Sequence, residues 1–323
     1  MAGEMSLAEW FARRAAGAVI VWLLISFVAF SLGSLAPGDP AEIMLLRRTG
    51  EPPSEADVVS LRHDLGLDRP FVVRYGAWLA DASRGDFGRS YRSGQPVYDE
   101  LRMRFPATLA LALSALVLGL LIAVPLAVIS AAARDTMVDH AARFAALAGV
   151  SLPSYWLGYM LILLFAVTLR WVPVSGAGGP RHLLLPALTL ALGSAASVTR
   201  MLRANLLDEL GADYARTARA KGLPGWMVLT RHALRNALNP LVTVSALRFG
   251  RLLGEAVIVE TVFAWPGVGR WMVESINDRD YPAIQGFVLY IATIFVVINV
   301  LVDLSYRVLD PRVRLGATAS GAA

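Results

Sequence analysis

The run Asp213-Tyr-Ala-Arg-Thr-Ala-Arg-Ala-Lys-Gly-Leu-Pro-Gly-Trp-Met-Val-Leu-Thr-Arg-His-Ala-Leu-Arg-Asn-Ala-Leu-Asn-Pro240 is basic, strongly helical and set between segments apolar enough to cross a bilayer. Leu206, Leu210, Tyr214 and Ala218 recur every four residues, which predicts one helical stripe over 206–221. Asp208, Glu209 and Asp213 lie toward its start and Arg216, Arg219 and Lys221 toward its end, the order the helix dipole favours. Gly222 tolerates positive φ and Pro224 follows it, so the helix stops there. A second helix begins at once with Pro224 in its first turn. Its apolar face is Trp226, Leu229, Ala233 and Ala237, and Val228, Arg231, His232 and Arg235 make a mostly basic one.

On either side of this helix-elbow-helix unit the chain is apolar. Of 323 residues, 56% are hydrophobic and 17% charged, and mean hydropathy is +0.55, the composition of a polytopic membrane protein. Net charge is +5, and Lys221 is the single lysine among 30 basic residues. That charge is too weak and scattered for nucleic acid and fits basic loops flanking a membrane. Cysteine is absent, which removes disulfides, thiol nucleophiles and thiolate metal sites.

Upstream, residues 1–14 form a polar leader ending in Arg13 and Arg14. Residues 15–36 are uncharged for about 22 positions, longer than the core of a cleaved signal peptide, and are read as a retained first span. Residues 37–104 are rich in turn signals and charge-balanced, with an amphipathic helix over 54–65; they form a small extracytoplasmic subdomain. Residues 105–133 make the second span, opened by Pro106. The third lies near 144–169 and is kinked at Pro153. The fourth, about 183–199, is crowded with Ala191, Gly193, Ala195 and Ser197, small residues that permit close helix contact.

Downstream, the fifth span, about 238–263, carries Arg248, Arg251 and Glu255. The three charges cost about 8 to 10 kcal/mol near mid-membrane, against about 3 to 6 returned by the apolar residues. They share one face, which therefore lines water, meets a partner or closes an internal Arg251–Glu255 pair. Glu260 and an aromatic, turn-rich exit follow, then a sixth span over 281–302 and a tail from 311 to 323. With six spans the leader, the Arg134 loop, the 205–238 loop and the tail share the arginine-rich side, which is cytoplasmic. The expected fold is thus an all-α polytopic membrane protein: six transmembrane helices, a subdomain between the first two, and a core over 105–310.

Enzyme chemistry has little to work with. No His-Glu-x-x-His or Gly-x-Ser-x-Gly occurs, and His63, His140, His182 and His232 are scattered. Lys221 follows Ala220, so no P-loop is present and any ATP-driven step needs another polypeptide.

Arg216-Thr-Ala-Arg-Ala-Lys-Gly222 followed by Arg231-His-Ala-Leu-Arg-Asn-Ala-Leu238 resembles the cytoplasmic coupling loop of ABC importer permeases of the dipeptide and oligopeptide type. The segments Leu35-Ala-Pro-Gly-Asp-Pro40, His63-Asp-Leu-Gly-Leu-Asp-Arg-Pro70, Gly85-Asp-Phe-Gly88, Glu260-Thr-Val-Phe-Ala-Trp-Pro-Gly267, Asp280-Tyr-Pro282 and Asp310-Pro-Arg312 are similar to that family too. The resemblance implies a bacterial inner-membrane subunit with both termini cytoplasmic. It implies a paralogous permease partner, two ATPase subunits holding ATP and Mg, and an extracytoplasmic binding protein. No cofactor, metal or nucleic acid is expected on this chain. Arg216, Thr217, Ala218, Arg219, Lys221, Gly222, Leu223 and Pro224 are then the ATPase-coupling residues, with Arg216 standing where the general motif has glutamate and Arg235 where it has proline. Arg248, Arg251, Glu255 and Glu260 are assigned to the translocation path or the partner-permease contact. A nickel or metal-chelate importer of the same fold is the nearest alternative, though the spans offer almost no histidine or thiol. A stand-alone secondary transporter is the alternative from another class.

Overall fold

The computed structural model describes residues 7–35 and 38–309. The first six residues, residues 36–37 within Leu35-Ala-Pro-Gly-Asp-Pro40, the Asp310-Pro-Arg312 segment and the 311–323 tail lie outside them. Helix α1 spans Leu7–Leu35. Three short helices follow: α2 (Pro40–Thr49), capped by the Asp39 carboxylate; α3 (Glu55–Asp64), capped by Ser54; and α4 (Phe71–Ala82), entered through Pro70. Both side-chain caps satisfy amides that the first helical turn leaves without partners. No residue of α3 is fully buried; over the expected amphipathic helix 54–65 only Val58 and Leu61, three residues apart, are half-buried and the rest are exposed.

Helix α5 runs from Val97 to Ala132. It begins ahead of the expected start, so Pro106 lies inside it together with Pro125 rather than opening it. Helix α6 (Met137–Ser151) stops where a kink was expected. Pro153 is extended, at φ −61° and ψ 137°, and caps a separate helix, α7 (Ser154–Leu161), which continues as a π turn over Ile162–Thr168. Leu152, just before the proline, is kept from helical geometry by the ring, and this ends α6 rather than bending it. Helix α8 extends over Pro180–Gly211, well past the expected span.

The predicted stripe over 206–221 is broken. Ala212 is extended (ψ 157°), and α9 (Asp213–Ala220) starts afresh with Asp213 in its first turn. After Gly222 come α10 (Gly225–Met227), a π turn over Val228–Ala233 and α11 (Leu234–Ala237). Helix α12 (Asn239–Val262) follows, then α13 (Val268–Asn277), which starts at the end of the turn-rich exit and covers a stretch the sequence reading left unassigned, and α14 (Tyr281–Leu309). Among the described residues four helical stretches are long and apolar enough to cross a membrane: Arg13–Leu35, Val97–Ala132, Pro180–Gly211 and Tyr281–Leu301.

The chain divides into two compact units, residues 1–104 with 271–323, and residues 105–270. In the first, α1 packs along α14, where Trp22 Nε1 donates to Thr293 Oγ1 at 3.1 Å. Buried Asp280 anchors the loop before α5: Ser90 Oγ donates to it at 2.5 Å, Tyr91 N at 3.0 Å and Arg92 N at 3.2 Å. Arg92 in turn reaches Glu274 at 2.9 Å and Asp278 at 3.3 Å. The Gly85-Asp-Phe-Gly88 and Asp280-Tyr-Pro282 segments meet as well, since a Cβ on Gly88 would lie 3.8 Å from Pro282 Cβ. A side chain on Gly286 would strike Val97 and Phe87.

In the second unit α8 is the central helix, packed by α6, α7 and α12. Its small residues permit close approach, as expected. Ala191 and Ala195 are buried, a Cβ on Gly119 would lie 2.7 Å from Ser194 Oγ, and one on Gly149 would lie 3.4 Å from Ala196. Gly193, by contrast, has open space beside it.

Two buried carboxylates pin this unit. Asp139, at the start of α6, receives Arg203 Nε at 2.8 Å and NH2 at 2.5 Å, Ser130 Oγ at 2.5 Å and Asp135 N at 3.1 Å. Glu260 accepts from Thr108 Oγ1 at 2.5 Å and from Arg270 N at 3.0 Å, while Val268 N donates to Thr108 at 3.0 Å. The Glu260 carboxylate lies against Gly267 so closely that no Cβ fits there, and a Cβ on Gly269 would sit 2.6 Å from Val257 Cα.

Gly269→Ala is expected to lower stability by about 1 to 3 kcal/mol, because the obstacle is backbone that cannot give way. Asp139→Asn is expected to cost about 3 kcal/mol by leaving Arg203 without its anion, and an Asp139→Leu/Arg203→Leu double variant to recover much of that. Both are read from unfolding midpoints in detergent. The Arg203 guanidinium, aided by Ser130 and the Asp135 amide, holds the Asp139 carboxyl well below the usual carboxylate range. Its folded-state value is thus below the unfolded one of about 3.9, so this stabilisation is complete at neutral pH and is lost only as acid carries the solution below that value toward the folded one.

Candidate functional site

The elbow between α9 and α10 is a complete Schellman closure. Gly222 takes φ +84°, its amide donates to Arg219 O at 2.9 Å, and Leu223 N donates to Ala218 O at 3.2 Å. Leu223 folds back onto the small cluster of Ala215, Ala218 and Val228, the apolar contact that accompanies this motif. Pro224 is extended at ψ 146° and caps α10 from just outside it, one position earlier than expected. Its carbonyl accepts from Met227 N at 2.9 Å and Val228 N at 3.1 Å.

Below the elbow the unit is bolted to its own helices. Leu229, Ala233 and Ala237 pack with Leu202 and Leu206 of α8 and with Ala127 and Ala131 of α5. The expected inner face was Trp226, Leu229, Ala233 and Ala237; the structure buries Val228 in place of Trp226, which is 66% exposed. The π turn over Val228–Ala233 is the reason. It accommodates an extra residue per turn and shifts the register that a continuous α-helix would keep. Tyr214, at the base of α9, donates to Glu209 at 2.5 Å, and burial together with that carboxylate pushes its phenol up.

Of the predicted coupling residues, Arg216, Thr217, Arg219, Lys221, Gly222 and Pro224 are exposed, Leu223 is half-buried and Ala218 is buried. Thr217 Oγ1 donates to Asp213 O at 2.9 Å, and Arg216 reaches Asp213 at 3.4 Å. Arg219 and Lys221 extend from the same end of α9 as the elbow, so the tip is cationic with Trp226 beside it. Sequence reasoning passed over Trp226 as a surface residue and Asp139 as the partner of Arg203. Arg143, four residues after Asp139, stands as a nearer candidate partner, so nothing in the sequence pointed to Arg203 instead.

On α12, Arg251 and Glu255 are exposed and Arg248 is half-buried. Among the described residues no ion pair or hydrogen bond joins Arg251 to Glu255, so the internal pair that periodicity allowed is not formed. Glu260 stands apart from this face: it has no accessible surface, and its oxygens are taken up by Thr108 and the backbone leading into α13. The four charged residues grouped by sequence are therefore three at an open face and one structural pin.

A family model described as the inner membrane component of binding-protein-dependent transport systems matches residues 115–315, and a model for the N-terminal part of such components matches residues 7–112. A probable D,D-dipeptide transport system permease protein of Escherichia coli (strain K12) is 41% identical, over 94% of this chain and 97% of the relative. A dipeptide transport system permease protein of Alkalihalophilus pseudofirmus is 38% identical, over 94% of this chain and 98% of the relative. Among solved structures, the MetNI methionine ABC transporter in an inward-facing conformation shares the fold. Its TM-score is 0.56, over 65% of this chain and 96% of that chain, at 20% identity. This multi-pass, all-helical chain belongs to the binding-protein-dependent transport system inner membrane components, as an ABC importer permease of the dipeptide and oligopeptide family.

Proposed function

We propose that the chain is one of two membrane permease subunits of an ATP-driven importer that takes up short peptides or a similar polar solute. It sits on two separate ATPase subunits, which bind ATP and Mg and carry out the hydrolysis, and it receives solute from an extracytoplasmic binding protein. Six spans cross the membrane: the four long apolar stretches, the broken α6–α7 pair, and α12 with its charged face. Both termini and the 205–238 loop are cytoplasmic, and residues 37–104 lie outside.

The observation that carries this reading is the elbow at Gly222. A rigid cationic tip stands in solvent, while the segments that support it pack onto the cytoplasmic turns of α5 and α8. A force applied at the tip is thereby delivered to two spans. ATP-driven closure of the ATPase pair moves the α9–α11 unit as a lever, opens the bundle outward to receive solute, and hydrolysis resets it. Arg216, Thr217, Arg219, Lys221 and Pro224, with Trp226, make the ATPase contact; Ala218 and Leu223 hold its shape from within. Arg248, Arg251 and Glu255 line the translocation path or meet the partner permease, since an unpaired charged face is too costly to leave in lipid.

In the reconstituted complex, Gly222→Val and the Arg219→Glu/Lys221→Glu pair are expected to abolish ATPase stimulation by the solute-loaded binding protein while leaving assembly intact. The elbow itself loses only about 1 kcal/mol locally when its glycine is replaced by alanine. Wild-type coupling in both variants would sink the lever. For α12, an Arg248→Leu/Arg251→Leu/Glu255→Leu triple variant is expected to lose uptake or to fail to co-purify with the partner permease. Normal uptake and normal assembly together would exclude both roles.

A further inference from the structure

The first unit contains a cavity of about 280 Å³ that none of the transport machinery above uses. This is the size class of a small-ligand site and exceeds what one or two trapped waters fill. Its wall combines aromatic rings with hydrogen-bond donors that have nothing to donate to. Phe30 and Trp78 stand with ring centroids 5.4 Å apart. The Arg74 guanidinium lies over the Phe30 ring, 5.9 Å from its centroid, and among the described residues no carboxylate pairs with it. Trp78 Nε1 and Ser34 Oγ are both buried and, among the described residues, have no hydrogen-bond partner. The Tyr91 ring also lines the space, and burial, with Asp280 nearby, pushes its phenol up to about 12, which keeps it a donor at any physiological pH. Asp81 is the one acidic residue among those lining the cavity.

An unpaired guanidinium and two buried donors without acceptors among the described residues suit an anion with at least two acceptor oxygens. Buried polar groups left unmatched are costly, and a charge-assisted bond to each would remove that cost. The aromatic wall beside them asks for a small apolar body attached to the anion. Asp81 at the same cavity disfavours a second negative charge and accommodates an ammonium group. We infer that this cavity is a binding site for the carboxylate end of a short zwitterionic molecule, such as a dipeptide, held by Arg74, Trp78 and Ser34. Exposed Arg69 lines the same cavity, and it is Asp81 with the aromatic wall that favours a zwitterionic carboxylate over a dianionic phosphate. That the molecule is a peptide rests on the importer reading; that the cavity takes a carboxylate does not. It would be a second solute site, separate from the charged face of α12.

The test is equilibrium binding to the full-length permease with its co-purifying subunits in lipid nanodiscs, without ATP, so that transport and binding fail separately. The probes are dialanine, dialanine C-terminal amide, inorganic phosphate and glycerophosphoethanolamine. Dialanine is expected to bind, and its amide to bind weaker by about tenfold or more, the range of one charge-assisted hydrogen bond. Arg74→Gln is expected to abolish that preference, and Arg74→Lys to keep part of it. Trp78→Phe is expected to weaken dialanine binding. Should Arg74→Gln not assemble, Ser34→Ala and the acid-to-amide comparison on the wild-type complex decide the matter. Equal binding of acid and amide, acid binding unchanged by Arg74→Gln and Ser34→Ala, or binding of only phosphate or the headgroup compound would overturn the assignment. The last result would make the cavity a lipid or phosphate site instead.

Discussion

The pairing of Asp139 with Arg203 is the contact on which the coupling-unit end of the second unit depends. An aspartate with no accessible surface is tolerable only because a guanidinium, a hydroxyl and a backbone amide together replace its water. Its members come from three places in the chain: Ser130 near the end of α5, Asp139 at the start of α6, and Arg203 on α8. Ser130 sits beside Ala127 and Ala131, and Arg203 sits between Leu202 and Leu206. These neighbours form the apolar bed on which Leu229, Ala233 and Ala237 rest. The same helical turns are thus locked by charge on one face and carry the coupling unit on another.

A common device recurs in both units. Asp280 and Glu260 are each buried, and each is answered chiefly by hydroxyl and backbone donors rather than by a cation. Such donors are fixed in direction, so each carboxylate sets the path of a loop: Asp280 that of residues 90–92, Glu260 that of the turn leading into α13. This explains why a glycine stands beside Glu260. The carboxylate can reach the backbone only where no Cβ intervenes.

Much of this was readable in advance, for physical reasons that differ by residue. The apolar runs needed only length and composition, and the Gly222 elbow followed from glycine at a helix end with proline close behind. The failures share a cause: they concern backbone geometry set by more than local spacing. Pro153 ends α6 where a kink was equally compatible with its ring. Ala212 interrupts a four-residue stripe whose apolar spacing is intact on both sides. The π turn after Met227 exchanges Val228 for Trp226 at the packed face, and no residue type announces a π turn. The charged face of α12 was legible as an anomaly, yet whether Arg251 and Glu255 would pair was not, because i, i+4 spacing permits contact without requiring it. Asp139 and Arg203 are far apart in sequence, and one sequence alone gives no means of joining them.

The exposure of Trp226 has a consequence for the life of the subunit before it is assembled. A large indole ring in water beside guanidinium groups is the composition of a binding hot spot, and it is costly to leave uncovered. In the proposed complex, that ring is withdrawn from water only when the ATPase docks. On the proposed topology an orphan chain carries a sticky patch on the side where cytoplasmic quality control operates, which would tie the abundance of the permease to the supply of its ATPase.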